Sequence, residues 1–261
     1  QMYITWFDQW LKDKRTELPS RYEFFSIHSN QWYQASQWPP SFTSEQRFRL
    51  LPNHRLTRES EQATKWWEDE PHHHEFTYDP LNPVPTMGGP ICCTYRPGDK
   101  PGPIDQGPLK ERADVLSYSS DPLTEDLDLM GSAKVVLHVS TNAPDTDFTV
   151  KMIDQYPDGR AFNLQDGVVR MRYRNGVGNP STTEPNTIYR VELELRPIAY
   201  RFKKGHKIKL HISSSNFPRL ARNLNTGKNE YNDADIFVAT NRIYLGEDNP
   251  SYVTLPIKNK D

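Results

Sequence analysis

The sequence has almost no cysteine and no long hydrophobic run. Its two cysteines, Cys92 and Cys93, are chain neighbours, so they cannot form a framework of long-range disulfides. No apolar segment approaches the roughly 20 residues that cross a bilayer, and the first residues lack the basic-then-apolar pattern of a signal peptide. These absences argue against a disulfide-stapled scaffold and a membrane-spanning helix, and they leave the compartment open.

An excess of charge of one sign is also missing. Lys and Arg together number 32, and Asp and Glu number 34, which gives a formal net charge of −2. Without a strong overall field, we expect neither nucleic acid nor an acidic membrane as a partner. The 261 residues suffice for one large all-β domain or for two small domains.

The chain starts with a helical pattern over residues 2–14. Apolar side chains recur at helical spacing on one face and two tryptophans occupy an adjacent face, namely Ile4, Phe7 and Leu11, then Trp6 and Trp10. A helix that is apolar on two sides requires a large covering surface, either from its own domain or from a preceding one. Because the chain begins with Gln1 directly at this helical pattern and no initiator Met precedes it, we expect a truncated or cleaved start.

Beyond Pro19 the pattern changes to strands and turns. Apolar and polar residues alternate with period two, which predicts antiparallel strands with one buried face, at Val135–Val139, Tyr189–Leu195 and Ile208–Ile212. We expect at least six strands between residues 114 and 257, with a hairpin turn at Pro157–Gly159. Residues 71–108 are rich in Pro and Gly, which predicts a long irregular excursion. The pattern favours two packed sheets in a jelly-roll or an immunoglobulin-like topology, which the period alone does not separate.

Five segments of this sequence occur in the same order as in a known family. They are Tyr78-Asp-Pro-Leu-Asn-Pro-Val-Pro-Thr-Met-Gly-Gly89, Asp114–Asp126, Ala143–Phe148, Tyr156–Arg160 with Leu164–Gly167, and Ser213–Arg219 with Asn223–Gly227. Together they resemble the C-terminal domain of the cocaine esterase and X-Pro dipeptidyl-peptidase family of serine hydrolases. The first segment is most similar to the branch of α-amino-acid ester hydrolases and glutaryl cephalosporin acylases.

The front of the chain agrees with this resemblance. Trp6–Lys12 resembles the final helix of the family's α/β-hydrolase domain, and Trp32 with Trp38-Pro-Pro40 resembles the start of the β domain. The resemblance implies an all-β fold, a jelly-roll sandwich of the galactose-binding-like kind, with a short N-terminal helix left from a preceding α/β-hydrolase domain. It divides the chain into that terminal helix, residues 1–18, and the C-terminal jelly-roll domain, residues 19–261.

The catalytic residues of the family are expected elsewhere. Its Ser, Asp and His triad lies upstream of the helix that begins this chain, with the serine on a Gly-x-Ser-x-Gly elbow. The sequence contains no such motif. We therefore expect no catalytic residue, no metal and no cofactor in this chain, and no activity from it alone.

The resemblance implies the function of a non-catalytic C-terminal domain of a serine hydrolase. Such a domain packs on the α/β-hydrolase catalytic domain, from the same gene or a separate chain, and shapes an active site for esters, amides or X-Pro peptides. A second hypothesis is a stand-alone carbohydrate-binding jelly-roll module, with which the 11% aromatic content is compatible. The substrate and a homo-oligomeric state stay open.

The stretch 96–108 is the strongest candidate for contact with a substrate. It is long, rich in Gly and Pro, and lies between segments that resemble the family, and such loops often carry function. Because the family's β domain packs beside its hydrolase domain, we expect Ile104, Asp105 and Gln106 to approach the acyl pocket. The other interpretation is a loop that only fills the domain interface.

The histidines and cysteines have simpler interpretations than catalysis. A run of metal-ligand types, His72, His73, His74 and Glu75, stands in the predicted excursion. Consecutive residues of an extended loop point in different directions, so we expect a solvated loop rather than a metal site. We expect Cys92 and Cys93 to be small buried hydrophobes rather than nucleophiles.

Two carboxylate pairs and an arginine series complete the candidates. Asp126 with Asp128 and Asp145 with Asp147 do not fit a calcium loop, and we expect them to cap backbone amides at turns. Val169, Met171 and Tyr173 alternate with arginines, which predicts a strand whose outer face is basic, formed by Arg170, Arg172 and Arg174. Since the aromatics Trp66 and Trp67 are distant in sequence, we expect solvated or acid-paired arginines rather than a nucleic-acid site.

Overall fold

The computed structural model describes residues 2–12, 14, 21–61, 72–91, 100–229 and 231–260. The predictions made for Trp66, Trp67, Cys92 and Cys93 lie outside these ranges. The described residues form one helix, α1 (Met2–Lys12), and fifteen strands: β1 (Tyr22–Ser26), β2 (Gln31–Ala35), β3 (Thr43–Leu50), β4 (Leu56–Arg58), β5 (His73–Tyr78), β6 (Leu116–Ser119), β7 (Leu127–Gly131), β8 (Lys134–Thr141), β9 (Asp147–Gln155), β10 (Ala161–Arg170), β11 (Tyr189–Glu194), β12 (Ile198–Phe202), β13 (Lys207–Ser213), β14 (Ala239–Tyr244) and β15 (Tyr252–Lys258).

Two antiparallel sheets share one hydrophobic core. The smaller sheet has the strand order β10-β9-β13-β6, and the larger has the order β12-β7-β15-β8-β14-β5, with β11 beside β8, β3 beside β15 and β4 beside β3. Phe148 and Leu210 of the smaller sheet and Leu137 and Leu255 of the larger sheet belong to the same buried cluster. The predicted all-β sandwich is confirmed, and the jelly-roll topology stays an expectation.

The period-two segments are strands, and their apolar faces are buried. Ile208, Leu210 and Ile212 of β13 are inaccessible to solvent, because they face the core between the sheets. The opposite face of the smaller sheet is also covered, so that Lys151 of β9 and His211 of β13, which pair across the strands, are both more than nine-tenths buried. In this sheet, therefore, a polar residue on a strand does not show that the face it lies on is exposed to solvent.

The predicted excursion over residues 71–108 is only partly irregular. His73–Tyr78 form β5, which pairs antiparallel with β14, so the prediction is wrong for these residues. Further along, Gln106 and Leu109 are buried, and Gln106 hydrogen-bonds to Lys151. This part of the excursion covers the outer face of the smaller sheet.

Helix α1 exposes its apolar side chains to solvent. Six large apolar or aromatic residues are between 48% and 81% exposed, namely Tyr3, Ile4, Trp6, Phe7, Trp10 and Leu11. Lys12 forms an i,i+4 ion pair with Asp8 on the helix surface. With 11 residues, α1 is too short to cross a bilayer, and none of the described helices has the length and apolar character to do so.

Candidate functional site

Two glycine-containing segments meet beside the edge of the smaller sheet. The Gly89 N–H donates to the Gly102 carbonyl at 2.8 Å, and the Gly102 N–H donates back to the Gly89 carbonyl at 3.0 Å. We call Gly88–Gly89 together with Gly102–Gln106 the ledge. Gly88 has φ of +68°, and a Cβ atom there would lie 2.4 Å from the Gly102 carbonyl oxygen, so only glycine fits this position.

The ledge is fastened to β10, the edge strand of the smaller sheet. The Gln106 N–H donates to the Ala161 carbonyl at 2.7 Å, and the Ala161 N–H donates to Asp105 Oδ1 at 2.9 Å. The Ile104 N–H donates to the side-chain oxygen of Asn163 at 2.8 Å. The first two bonds occupy backbone groups of Ala161 that an edge strand would otherwise leave unpaired.

Gln106 is the buried hub of this arrangement, with 1% of its surface exposed. Its Nε2, which carries two N–H donors, lies within hydrogen-bond distance of three oxygens, the carbonyls of Met87 (3.0 Å) and Ile104 (2.9 Å) and Oδ1 of Asn163 (3.2 Å). Its Oε1 accepts from Nζ of Lys151 at 3.2 Å. Burial lowers the pKa of Lys151 to about 8. The sequence prediction missed Lys151, although a lysine inside the apolar run of β9 was a signal that could have found it.

A cleft of about 560 Å³ adjoins the ledge. Strands β1 and β2 pair antiparallel, and Ile27 lies in the turn between them. Apolar and aromatic side chains from this turn and from both sheets form much of the wall of the cleft, including Ile27, Tyr156, Phe162, Ile198 and Tyr200, and Gly89 and Gly102 border it. The side chains of Ile104, Asp105 and Gln106 are not among the groups that line this cleft. The prediction that these three approach an acyl pocket stays a prediction.

An aspartate and a histidine pair closely next to the same cleft. His206 Nδ1 lies 2.9 Å and 3.0 Å from the two oxygens of Asp154, and the Tyr200 hydroxyl donates to Asp154 at 2.8 Å. Asp154 is fully buried, and burial raises the pKa of Tyr200. Among the described residues, no serine is hydrogen-bonded to His206. The two residues are 52 positions apart, and no spacing motif in the sequence indicated their contact.

The arginine series and one carboxylate pair, singled out separately in the sequence, form a single cluster. Arg170 donates to Asp147 at 2.8 Å, and Arg172 donates to Asp145 at 2.6 Å. Asn223 donates to both carboxylates at 2.8 Å. The predicted strand with a basic outer face is wrong, because β10 ends at Arg170 and residues 171–173 form a 3₁₀ turn.

The second carboxylate pair is also engaged by cations. Arg201 donates to both oxygens of Asp128 at 2.7 Å. Asp126 accepts from the backbone N–H of Lys204 at 2.9 Å, which is the expected capping of an amide. This backbone hydrogen bond, with the neighbouring cations, lowers the pKa of Asp126. Both pairs therefore hold the fold together through arginine or backbone contacts.

Three of the four residues in the histidine run lie in a strand rather than in a solvated loop, whereas His72 is exposed just before that strand. His73, His74 and Glu75 lie in β5, and His74 is held between the Tyr118 hydroxyl and the Pro52 carbonyl, each at 2.8 Å. Its ring stacks on His54, with centroids 4.0 Å apart. Burial lowers the pKa of His74 to about 4. Among the described residues no cluster of His, Cys, Asp or Glu side chains could hold a metal ion.

Taken together, the fold and the ledge define a β-sandwich domain whose polar clusters hold loops in place. Comparison with known proteins specifies the class. The chain belongs to the family of X-Pro dipeptidyl-peptidase C-terminal non-catalytic domains, whose sequence profile matches residues 11–254. The resemblance drawn from the sequence is confirmed.

The relatives are longer proteins than this chain. The cocaine esterase of Rhodococcus sp. (strain MB1 Bresler) is 44% identical over 184 residues, which are 70% of this chain and 32% of that protein. The crystal structure of an aminopeptidase from the marine sediment archaeon Thaumarchaeota archaeon matches with a TM-score of 0.84 and 25% identity, over 99% of this chain and 44% of that one. The structure of an α-amino-acid ester hydrolase matches with a TM-score of 0.78 and 25% identity, over 97% of this chain and 44% of that one. The chain thus spans about a third of the curated relative's length, and a stand-alone carbohydrate-binding module is not favoured.

Proposed function

We propose that this chain works as the C-terminal domain of a serine hydrolase for esters, amides or X-Pro peptides. In that enzyme it packs on an α/β-hydrolase catalytic domain and shapes the active site. The catalytic domain supplies the serine nucleophile, its histidine base and the oxyanion site for acyl transfer. This chain supplies part of the wall that surrounds the active site.

The observation that carries the proposal is the exposed apolar surface of α1. Six apolar and aromatic side chains point to solvent over 11 residues, and a surface of this kind normally marks a contact with another protein surface. The occupant we propose is the catalytic domain, with residues 1–18 as its terminal helix and residues 19–261 as the sandwich. The longer relatives support this assignment, because the matched region is only 32% to 44% of their chains.

The shaping role is assigned to the ledge. Ile104 and Asp105 are partly exposed, whereas the Gln106 side chain is turned inward onto Lys151. We therefore propose that Ile104 and Asp105 face the acyl pocket and that Gln106 acts indirectly, by holding them. The apolar cleft beside the ledge extends this wall.

Turnover of a chromogenic ester tests the proposal. The chain alone is compared with the longer polypeptide that includes its catalytic domain, and both are treated with a fluorophosphonate that labels an active serine. We expect hydrolysis and labelling only in the longer form. Labelling of the chain alone would reveal a nucleophile within it and would contradict the proposed division of labour.

The ledge is tested separately by Ile104→Ala in the longer form. We expect a changed ratio of kcat/KM between a small and a bulky acyl ester. As a matched control, Val177→Ala removes an apolar side chain that is 80% exposed and outside the ledge, and it should leave the ratio unchanged. An unchanged ratio for Ile104→Ala would contradict the shaping role.

A further inference from the structure

Lys151 is an unusual residue for the middle of a sheet. It is 6% exposed, and its strand neighbours across β10 and β13 are Asp166 and His211. The Asp166 carboxylate is already engaged, by an ion pair with Arg219 and by an amide hydrogen bond from Asn216 at 3.2 Å. Among the described residues, the hydrogen bond from Lys151 goes to Gln106 Oε1 alone.

This contact determines which way the Gln106 amide faces. An ammonium group can only donate, so the atom that meets Lys151 must be the amide oxygen. The amide nitrogen is then directed at three oxygen acceptors, on Met87, Ile104 and Asn163. Met87 directly precedes Gly88 of the ledge, Ile104 belongs to the ledge, and Asn163 belongs to β10.

We infer that Lys151 is a positioning residue, which holds the ledge on the smaller sheet by fixing the Gln106 amide and thereby sets the acyl preference of the enzyme. The part that concerns acyl preference rests on the proposed function. The part that concerns the ledge rests on this chain alone. Lys151 itself touches no reacting atom in this scheme.

The chain offers a matched control for Lys151. Lys209 lies on the neighbouring strand β13, and burial lowers its pKa as well, but among the described residues it makes no hydrogen bond to the ledge. Lys209 is partly buried, so if the loss of any lysine from this face of the sheet disturbed the ledge, Lys209→Met would also act on it. If the contact with Gln106 matters, only Lys151→Met should act on the ledge.

The first measurement is amide hydrogen exchange of the chain, followed at Gly89 and Gly102. A hydrogen bond with a charged partner is expected to be worth a factor of about ten or more in a local opening equilibrium. We expect Lys151→Met to speed exchange at these two amides about tenfold and Lys209→Met to leave it unchanged. Lys151→Arg should restore slow exchange, because a donating cation is retained.

A second variant keeps the inference testable if Lys151→Met does not fold. Gln106→Glu retains a partner for Lys151 but removes the nitrogen that donates to the ledge. We expect it to speed exchange at the same two glycines. Wild-type exchange in both the Lys151→Met and Gln106→Glu proteins, or an equal effect of Lys209→Met, would overturn the inference.

The second measurement uses the longer enzyme and the pair of acyl esters named above. We expect Lys151→Met to change the ratio of their kcat/KM values about threefold or more, mainly through KM, with kcat for the small ester retained. A shifted ratio for Ile104→Ala with an unshifted one for Lys151→Met overturns the positioning role and leaves the proposed function standing. Unshifted ratios for both variants, with faster exchange in Lys151→Met, overturn the shaping role and leave the contact with the ledge standing.

Discussion

The backbone N–H and the Nε of Arg172 both donate to the carboxylate of Asp145, at 2.8 and 2.6 Å. The Asp145 side chain is inaccessible to solvent, and these donors together with Asn223 supply hydrogen bonds to its carboxylate oxygens. Arg172 also donates to the Lys228 carbonyl at 2.9 Å. One arginine thereby joins the turn after β10 to the segment around residue 228.

Removal of this arginine is expected to destabilise the domain strongly. In Arg172→Gln the buried carboxylate of Asp145 loses its cation, and breaking one partner of a buried pair costs about 3 kcal/mol or more. Urea unfolding measures the change. The control is Arg190→Gln, which breaks an exposed pair with Glu192, and we expect it to cost about 1 kcal/mol or less. Equal costs for the two variants would contradict the cluster's structural role.

A side chain at Gly88 is expected to disrupt the ledge. Gly88→Ala forces an L-residue to φ of +68° and brings its Cβ within 2.4 Å of the Gly102 carbonyl oxygen. Gly176→Ala is the matched control, since its φ is +98° and no described atom lies within 4 Å of the added Cβ. We expect Gly88→Ala to lose about 2 kcal/mol more than the control, from overpacking. Thermal unfolding of both proteins tests this. If the two variants lose the same stability, the backbone of the ledge can shift to accept the added Cβ.

Acid is expected to destabilise the domain through His211. Burial lowers the pKa of this histidine from 6.5 to about 3, and among the described residues its Nδ1 has no hydrogen-bond partner. The unfolded chain therefore binds the proton first, so this contribution to stability is present above pH 6.5 and is lost as the pH falls toward 3. The loss is about 1.4 kcal/mol per pH unit at most.

The variant His211→Gln isolates this contribution. We expect its free energy of unfolding to fall less steeply than that of the wild type between pH 6.5 and pH 4. Above pH 7 the two curves should run parallel, which serves as an internal control because the histidine is then neutral in both states. Parallel curves throughout the acidic range would argue against a buried neutral His211.

Charged residues on α1 are expected to weaken the contact between this chain and the rest of the catalytic domain. The paired substitution Trp6→Glu and Trp10→Glu places two carboxylates on the exposed apolar side, where they would have to be desolvated on contact. Binding of separately prepared domains is measured by calorimetry, and we expect at least about a tenfold loss in affinity. Tyr231→Glu, at a position that is 89% exposed, should leave affinity unchanged.

The arginine series shows why the site was predicted only in part. Alternation at 169–174 is typical of a strand, yet the chain leaves the sheet after Arg170 and turns. The cause is a pair of carboxylates earlier in the chain. Arg172 binds Asp145, which lies 27 residues before it, and Arg170 binds Asp147, which lies 23 residues before it. A local pattern cannot report a partner at that distance.

The sequence by itself determined the class of fold, the helix at the front and the family. Period-two burial is a local property, so strands such as β8 and β13 were predicted from their own residues, and ordered segments such as Tyr78–Gly89 identify the family without coordinates. Only the tertiary structure decided which polar groups are buried and with which partners. Lys151, Gln106 and Asn163 come from separate segments, and they meet because the stretch around Gln106 packs on the outer face of the smaller sheet. Because this segment covers the sheet, Lys151 becomes a buried hydrogen-bond donor. The burial results from tertiary packing, and no spacing of residues along the sequence predicts it.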